Sequence, residues 1–392
     1  MISIPGFQLS SVASGVKKNG KKDLALIFSD VPAKAAAVYT TNVVKAAPVI
    51  LGQERIKLGL CQAIVINSGI ANAFTGTSGY QNAVQTTKDI SASLGIEENL
   101  IIPSSTGLIG GPLPVSRIKR AIPNLISKLG PGGVEEVAKA IMTTDKFPKF
   151  AFRKIKFGKK EGTIAAIGKG AGMICPNMAT MLCFIITDIN INKTTLKKAL
   201  VNSVDNSFNK IIVDGDTSTN DSVIMLSNGV LDNNEITLKS SHYSRFEKIL
   251  TELNTEIAEL IVKDGEGATK VVKIDVQGAR TVKEAEKIAR TVGNSLLVKT
   301  AFFGEDPNWG RILAAAGRAG VMFNPDKVEM LFDDKRVIKN GARYQAESKF
   351  APVFKKSKFT VTIKLKEGNA SSYVITSDLS HEYVSINSEY RT

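Results

Sequence analysis

The sequence predicts a mixed α/β protein built as a layered sandwich. Two patterns carry that reading: apolar runs too short for helices recur between turn residues, and long stretches of helical apolar spacing separate them. Residues 24–28 and 63–67 are continuous short apolar runs, as in strands buried on both faces. Residues 82–94 and 115–129 have helical spacing, and so do 134–142, entered through Pro131-Gly132-Gly133. The lysine-rich segment 154–160, with Gly158, reads as a solvated hairpin. Residues 163–167 and 181–187 read as strands on either side of a glycine-rich loop. A helix is expected over 194–204, then strands at 211–213 and 222–226 around a polar loop. Phe246, Ile249, Leu250, Leu253, Ile257, Leu260 and Ile261 make one apolar stripe of a long helix. Its end is marked by Asp264-Gly265-Glu266-Gly267. A strand over 270–276, one helix over 282–298 and short strands thereafter, including 359–365 and 373–375, complete the chain. A composition shift at Gly278-Ala279-Arg280 sets the expected domains at 1–280 and 281–392.

Bulk properties narrow the function classes. The 392 residues are 43% hydrophobic and 22% charged, an ordinary globular composition with length for about two to three domains. No apolar run approaches the ~20 residues that span a bilayer. Residues 1–6 lack a secretory pattern, so a cytoplasmic protein, or the mature form of an organellar one, is expected. Cys61, Cys175 and Cys183 lack metal-ligand spacing and read as small apolar residues in a reducing compartment. The net charge of +14 comes from lysines spread along the chain with few aromatics among them. That suits attraction of small anionic substrates better than nucleic-acid binding.

The chemistry concentrates in Gly170-Ala171-Gly172-Met173-Ile174-Cys175-Pro176-Asn177-Met178-Ala179-Thr180-Met181-Leu182. A flexible loop runs into a small residue, a threonine and an apolar strand, which puts one hydroxyl at the mouth of a buried sheet. A hydroxyl needs a neighbouring base, and the two histidines, His242 and His381, sit in polar surroundings that suit surface or packing roles. An N-terminal threonine needs neither, because its own α-amino group has a pKa of about 7.7–8.0. Breaking the Ala179–Thr180 bond by attack of the Thr180 hydroxyl would create that amine. On spacing alone Thr180 reads more simply as the start of a strand.

Other segments are suggestive rather than specific. Pro103-Ser104-Ser105-Thr106-Gly107 could aim a hydroxyl and backbone N–H groups at a developing negative oxygen, or be a plain strand-to-helix turn. Asp214, Asp216 and Asp221 lie close together without calcium-loop spacing; hydrogen bonds within a turn are expected there, and no metal. Trp309, the single tryptophan, reads as a packing residue.

In order along the chain stand Tyr39-Thr40-Thr41-Asn42, Lys45-Ala46-Ala47-Pro48-Val49, Asn67-Ser68-Gly69, Ser105-Thr106-Gly107, Met142-Thr143-Thr144-Asp145, Lys169-Gly170-Ala171-Gly172-Met173 and Pro176 to Leu182. Asp214 to Asp221, Asp264 to Lys270, Asp306 to Arg311, and the tail Tyr383 to Asn387 with Arg391-Thr392 follow. This set resembles the ornithine acetyltransferases, or glutamate N-acetyltransferases, of arginine biosynthesis, over nearly the whole chain. The resemblance implies an αββα sandwich with a smaller C-terminal α/β domain. It implies self-cleavage between Ala179 and Thr180 into chains 1–179 and 180–392 that assemble as two copies of each. Thr180 would take the acetyl group from N2-acetylornithine and pass it to glutamate. Thr106 and Gly107 would form the oxyanion hole, and Thr143, Lys169, Thr180, Glu266, Asn387 and Thr392 would contact substrate. No cofactor is implied, and acetyl-CoA is left open as a second donor. Lys169 suits the α-carboxylate that both substrates carry, and Glu266 the ornithine cation. Ala37 and Ile70 depart from the family pattern, Ala37 at an expected turn and Ile70 where a polar side chain is usual. The alternatives are an aminopeptidase or amidase of the same fold, or an uncleaved binding protein.

Overall fold

The computed structural model describes residues 2–175 and 181–389. In chain order the first part contains β1 (Phe7–Val12), β2 (Leu24–Tyr39), α1 (Ala47–Arg55), β3 (Leu60–Ile70), α2 (Gly76–Leu94), β4 (Ile101–Leu108), α3 (Val115–Ser127), α4 (Val134–Ile141), β5 (Lys149–Phe157) and β6 (Lys160–Lys169). After the loop come β7 (Leu182–Thr187), α5 (Lys193–Asp205), β8 (Ile211–Ile212), β9 (Ser222–Ser227) and α6 (Tyr243–Lys263). The rest is β10 (Val271–Ala279), α7 (Val282–Gly293), α8 (Leu296–Phe303), α9 (Trp309–Gly317), β11 (Glu329–Phe332), β12 (Lys335–Lys339), β13 (Ala342–Arg343), α10 (Ala351–Phe354), β14 (Lys358–Lys364), β15 (Ala370–Ser377) and α11 (His381–Glu389).

One sheet runs β4-β3-β2-β9-β7-β6-β5, with β1 also on β2. β2 serves two layers. Its middle, Asp30-Val31-Pro32, is exposed, and its register with β3 breaks between Phe28 and Ala33, because proline offers the ladder no N–H. Before the break β2 pairs with β1 and β3; after it, with β3 at Ala33 and Lys34 and with β9 from Lys34 to Tyr39. The two layers face each other. Ala25, Ile27, Ile64 and Ile66 share one core with Ala165, Ile167, Phe184, Ile186, Ile224 and Leu226, and α4 adds Val134, Val137 and Ile141 to it.

Residues one step along the same strands point the other way, as the period of two requires. Leu24, Leu26, Ala63 and Val65 pack on Ile90 of α2 and Ile118, Ile122 and Leu125 of α3. Ile164, Cys183, Ile185, Val223 and Met225 pack on Leu196 and Leu200 of α5 and on Phe246, Leu250 and Ile257 of α6. The order is helix, sheet, sheet, helix, as the family resemblance implies.

A second sheet, β13-β12-β11-β14-β10-β15-β8, buries Val272, Ile274, Val361 and Ile363 with Ile288 and Val292 of α7 and Ile312 of α9. Sheet membership changes ahead of residue 280, since β10 is already a central strand here and β8 reaches the sheet's edge.

Three local expectations are corrected. The helix expected over 282–298 is two, α7 and α8, separated at Asn294-Ser295. Asn294 caps α7 and Ser295 opens α8, short polar side chains that compete for backbone groups and favour helix ends. The final stretch ends in a helix, α11, rather than in strands alone. Ala37 lies inside β2, opposite Ile224 of β9, and not at a turn.

Candidate active site

The strand ends decide what meets what. Thr106 and Gly107 close β4, which runs parallel to β3 and pairs Thr106 with Ser68 and Gly107 with Gly69. Gly107 has φ +125°, and a Cβ there would stand 2.3 Å from the Gly69 carbonyl carbon. Only glycine fits this left-handed, crowded position. β7 enters the sheet between β6 and β9, with Leu182 opposite Lys169 and beside Ser222. The Met181 N–H donates to Asp221 Oδ1 at 2.9 Å. The cleavage and nucleophile assignments, Ala179 and Thr180, and the substrate assignment of Thr392 fall outside the described residues.

One cavity is lined by Thr106, Gly107, Thr143, Lys169, Glu266 and Asn387, together with Ala71, Ile109, Thr144, Gly172, Met173, Ser218 and Asn220. Six residues named from the sequence thus meet in one place, from β4, the segment after α4, the end of β6, the end of α6, and α11. The Lys169 ammonium donates to Thr106 Oγ1 and Thr143 Oγ1, both at 3.0 Å. It lies 4.0 Å from Asp145 Oδ2. Burial lowers its pKa, an effect that Asp145 opposes. Because each hydroxyl oxygen accepts from a cation, its own proton is free to be donated and is made a better donor.

Asp145 was not among the residues named as site groups. It is fully buried and takes bonds from the Lys149 ammonium at 2.7 Å, the Gly170 N–H at 2.8 Å and the Thr143 N–H at 2.9 Å. Burial pushes its carboxyl up, but Lys169 and Lys149 outweigh that and hold it well below the usual carboxylate range. Lys149 also reaches Asp264 Oδ2 at 2.5 Å. This buried Asp–Lys–Asp group ties the entry of β5 to the end of α6, just ahead of Glu266.

Glu266 is 9% exposed and turns its carboxylate to the cavity. A Cβ on Gly172 would come within 2.6 Å of it, so a side chain there would push the carboxylate from its place. Asn387 Nδ2 donates to Glu266 Oε2 at 2.9 Å. The loop itself is held by Asp214, which accepts from Met173 N–H at 2.6 Å and Ile174 N–H at 2.8 Å. The expectation that these acidic residues hydrogen-bond a turn therefore describes only part of their work. Asn220, also unnamed from the sequence as a site residue, donates to Ala71 O at 2.7 Å and Ser105 O at 2.9 Å. It fixes β4 against the loop entering β9. At Ile70 the backbone carbonyl accepts from Asn67 Nδ2 at 2.8 Å.

Neither histidine lines this cavity. His242 packs edge-on against Phe157 and His381 against Phe303. Trp309 lies at the margin of the second core and donates to Glu347 at 2.9 Å. Among the described residues no helix is long and apolar enough to cross a membrane, and no three His, Cys, Asp or Glu cluster as metal ligands.

The model of the ArgJ family matches residues 8–392. The chain belongs to the ArgJ family. It is 49% identical to the arginine biosynthesis bifunctional protein ArgJ of Geobacter sulfurreducens, covering 100% of both chains. It is 45% identical to the protein of the same name from Syntrophotalea carbinolica, again over 100% of each. The crystal structure of arginine biosynthesis bifunctional protein ArgJ from Bacillus halodurans, 35% identical, covers 54% of this chain and 100% of its own, with a TM-score of 0.52. In this ArgJ-family chain the cavity joins both halves of the sequence: Thr106, Thr143 and Lys169 precede the loop, and Ser218, Asn220, Glu266 and Asn387 follow it.

Proposed function

We propose that the chain is an acetyltransferase of arginine biosynthesis that moves the acetyl group of N2-acetylornithine to glutamate through an acetyl ester on Thr180. Its relatives are named as bifunctional proteins of arginine biosynthesis. The observation that carries the reading is the junction of Thr106 and Gly107 with Lys169, Thr143 and Glu266 in one cavity at the head of β7. In the sequence Thr180 is two residues ahead of β7.

The chain first cleaves itself. The Thr180 hydroxyl attacks the Ala179 carbonyl, and water hydrolyses the resulting ester. The freed α-amine, with a pKa of about 7.7–8.0, is the base for the next rounds. In the first half-reaction the Thr180 oxygen attacks the acetyl carbonyl, the amide C–N bond breaks, and ornithine leaves with the proton. Thr106 and the backbone at Gly107 stabilise the oxyanion. Glu266, oriented by Asn387, receives the substrate cation. In the second half-reaction the glutamate amine attacks the ester carbonyl and regenerates the hydroxyl. Lys169 polarises both threonine hydroxyls and supplies positive charge near the substrate carboxylate. Thr392 is proposed to complete the substrate contacts.

The Bacillus halodurans chain is fully covered by 54% of this one. Two copies of each fragment as the mature assembly are carried over from the resemblance, whereas the division at residue 280 and a cytoplasmic site of action rest on the sequence pattern alone. The test is Thr180→Ala: denaturing mass spectrometry is expected to find one full-length chain, with acetyl transfer lost. Fragments still ending at Ala179 would overturn the reading. Acetyl release without glutamate, as fast as with it, would mark an amidase instead.

A further inference from the structure

The turn between β15 and α11 is held by a lysine that the proposed reaction does not use. Lys299, on α8, is buried. Its ammonium donates to Ser377 O at 2.5 Å, Thr376 Oγ1 at 3.0 Å and Ser377 Oγ at 3.2 Å. Three protons thus meet three neutral oxygens, all at the end of β15. The Lys299 carbonyl accepts from the Leu379 N–H at 3.2 Å, so side chain and backbone grip the same turn. Among the described residues the ammonium bonds only to neutral oxygens, which leaves most of the cost of burying its charge unmatched. Burial pushes its pKa down to about 7, against the pull of Asp378 and Asp214. An apolar side chain could fill this space but could not hold the turn.

What the turn holds lies at the candidate active site. Asp378 accepts from the Thr269 N–H at 2.8 Å, the Thr269 hydroxyl at 2.5 Å and the Lys270 N–H at 2.9 Å. Ser380 Oγ donates to Gly267 O at 2.6 Å. Residues 378–380 are thereby pinned along 267–270, directly after Glu266, and they lead into α11, which carries Asn387. The end of α8 braces both sides: Phe303 packs edge-on against His381, and Glu305 pairs with Lys270 at 3.1 Å. The Asn387–Glu266 bond closes the arrangement. Lys299 does not line the cavity, so it reaches substrate only through this turn.

We propose that Lys299 is a positioning residue for the substrate cation: by fixing the turn of residues 376–380 it sets the place of the Glu266–Asn387 pair, and with it the affinity for N2-acetylornithine. The inference rests on the acetyl-transfer reading above. Glutamate carries no side-chain cation, so its binding depends less on that pair. An amine that has lost its extra proton has two donors for three acceptors and no charge to strengthen them. The turn therefore loosens as pH rises through about 7. The groups that face the ammonium are Thr376, Ser377 and Asp378 at the end of β15 and Asp214 after β8, and His381 meets α8 at Phe303.

Steady-state acetyl transfer by the mature wild type is compared with Lys299→Met, with Ser377→Ala, which removes one of the three acceptors, and with His381→Gln. At about pH 6, Lys299→Met is expected to raise KM for N2-acetylornithine about tenfold and Ser377→Ala about threefold, with kcat and KM for glutamate within about twofold. By about pH 8 the gap between wild type and Lys299→Met is expected to narrow to about twofold, as the wild-type lysine loses its own charge. His381→Gln is expected to keep the wild-type pH dependence. An unchanged KM for N2-acetylornithine in the folded variants overturns the proposal. So does an equal rise for both substrates, a loss confined to kcat, a gap that pH does not narrow, or a pH dependence that disappears with His381→Gln. If Lys299→Met does not fold, Ser377→Ala carries the same comparison. A wild type that transfers no acetyl group brings down the reaction instead, and amide hydrogen exchange then decides the positioning by itself. Exchange at residues 264–270 and 381–389 is expected to quicken in the variants relative to wild type, and an unchanged rate there overturns the proposal.

Discussion

Lys169 is the residue on which the cavity turns. From the sequence it is a partner for a substrate carboxylate; in the fold its bonds go to Thr106 and Thr143, with Asp145 behind. Its charge acts partly through the hydroxyls it aligns. Thr106→Ala is expected to lower kcat by about 10²–10³-fold, the scale of losing one oxyanion donor, with Thr106→Ser restoring most of it. Steady-state kinetics of the acetyl transfer checks both. Lys149 shows the cost of a buried cation's removal. It lies between Asp145 and Asp264, all three side chains without exposure. Lys149→Met leaves the buried Asp264 without its cation and Asp145 with Lys169 alone, at 4.0 Å, and is expected to destabilise the protein by about 3–5 kcal/mol, measured by urea unfolding. Asp221 has the opposite character to Asp145. It is buried, its Oδ2 finds no partner among the described residues, and burial raises its pKa well above the usual value. A carboxyl raised in the folded state favours folding at low pH, and that contribution fades as pH rises above about 4. Asp221→Asn is therefore expected to flatten the decline of Tm as pH rises above about 4, followed by thermal unfolding across pH. The lowered Asp145 works in the reverse sense, its contribution being present above about pH 4 and lost as pH falls below it.

Among the elements, the closing ends of β3 and β4 matter most. Gly107 and Gly69 approach so closely that a single methyl group collides with backbone, which no side-chain rotation can relieve. Gly107→Ala is expected to cost about 1–3 kcal/mol and to abolish acetyl transfer by displacing Thr106, read from thermal unfolding and activity together. Much at this scale was legible. The stripe from Phe246 to Ile261 fixes α6, and the apolar runs at 63–67 and 222–226 fix β3 and β9, since burial periodicity is written in consecutive residues. The pause at Asn294-Ser295 was not legible, because the apolar spacing continues across it while the helix does not. Asp145 and Asn220 were missed as site residues for another reason. Each acts by bonds to residues distant in sequence, Gly170 for one and Ser105 for the other, and local pattern carries no record of such pairings. The site groups that were legible came from a family resemblance, not from spacing.

At the scale of the molecule, the cavity exists only where the two layers, the end of α6 and α11 come together. Gly267 lets α11 approach: a Cβ there would stand 2.4 Å from the Tyr383 nitrogen. That approach brings Asn387 to Glu266. Removal of residues 381–392 is expected to raise KM for N2-acetylornithine while leaving the fold, followed by circular dichroism, nearly intact.

The strand that follows the proposed break has its neighbours on opposite sides of it. β7 is joined to β6 by six register pairs, Ile164–Thr187 through Lys169–Leu182, and β6 lies upstream of the break while β7 and β9 lie downstream. A cut at that bond leaves the pieces interleaved through the middle of a buried ladder rather than resting side by side. Dilution and salt should not part them; they ought to travel as one particle through a sizing column, melt in one step, and come apart only in denaturant.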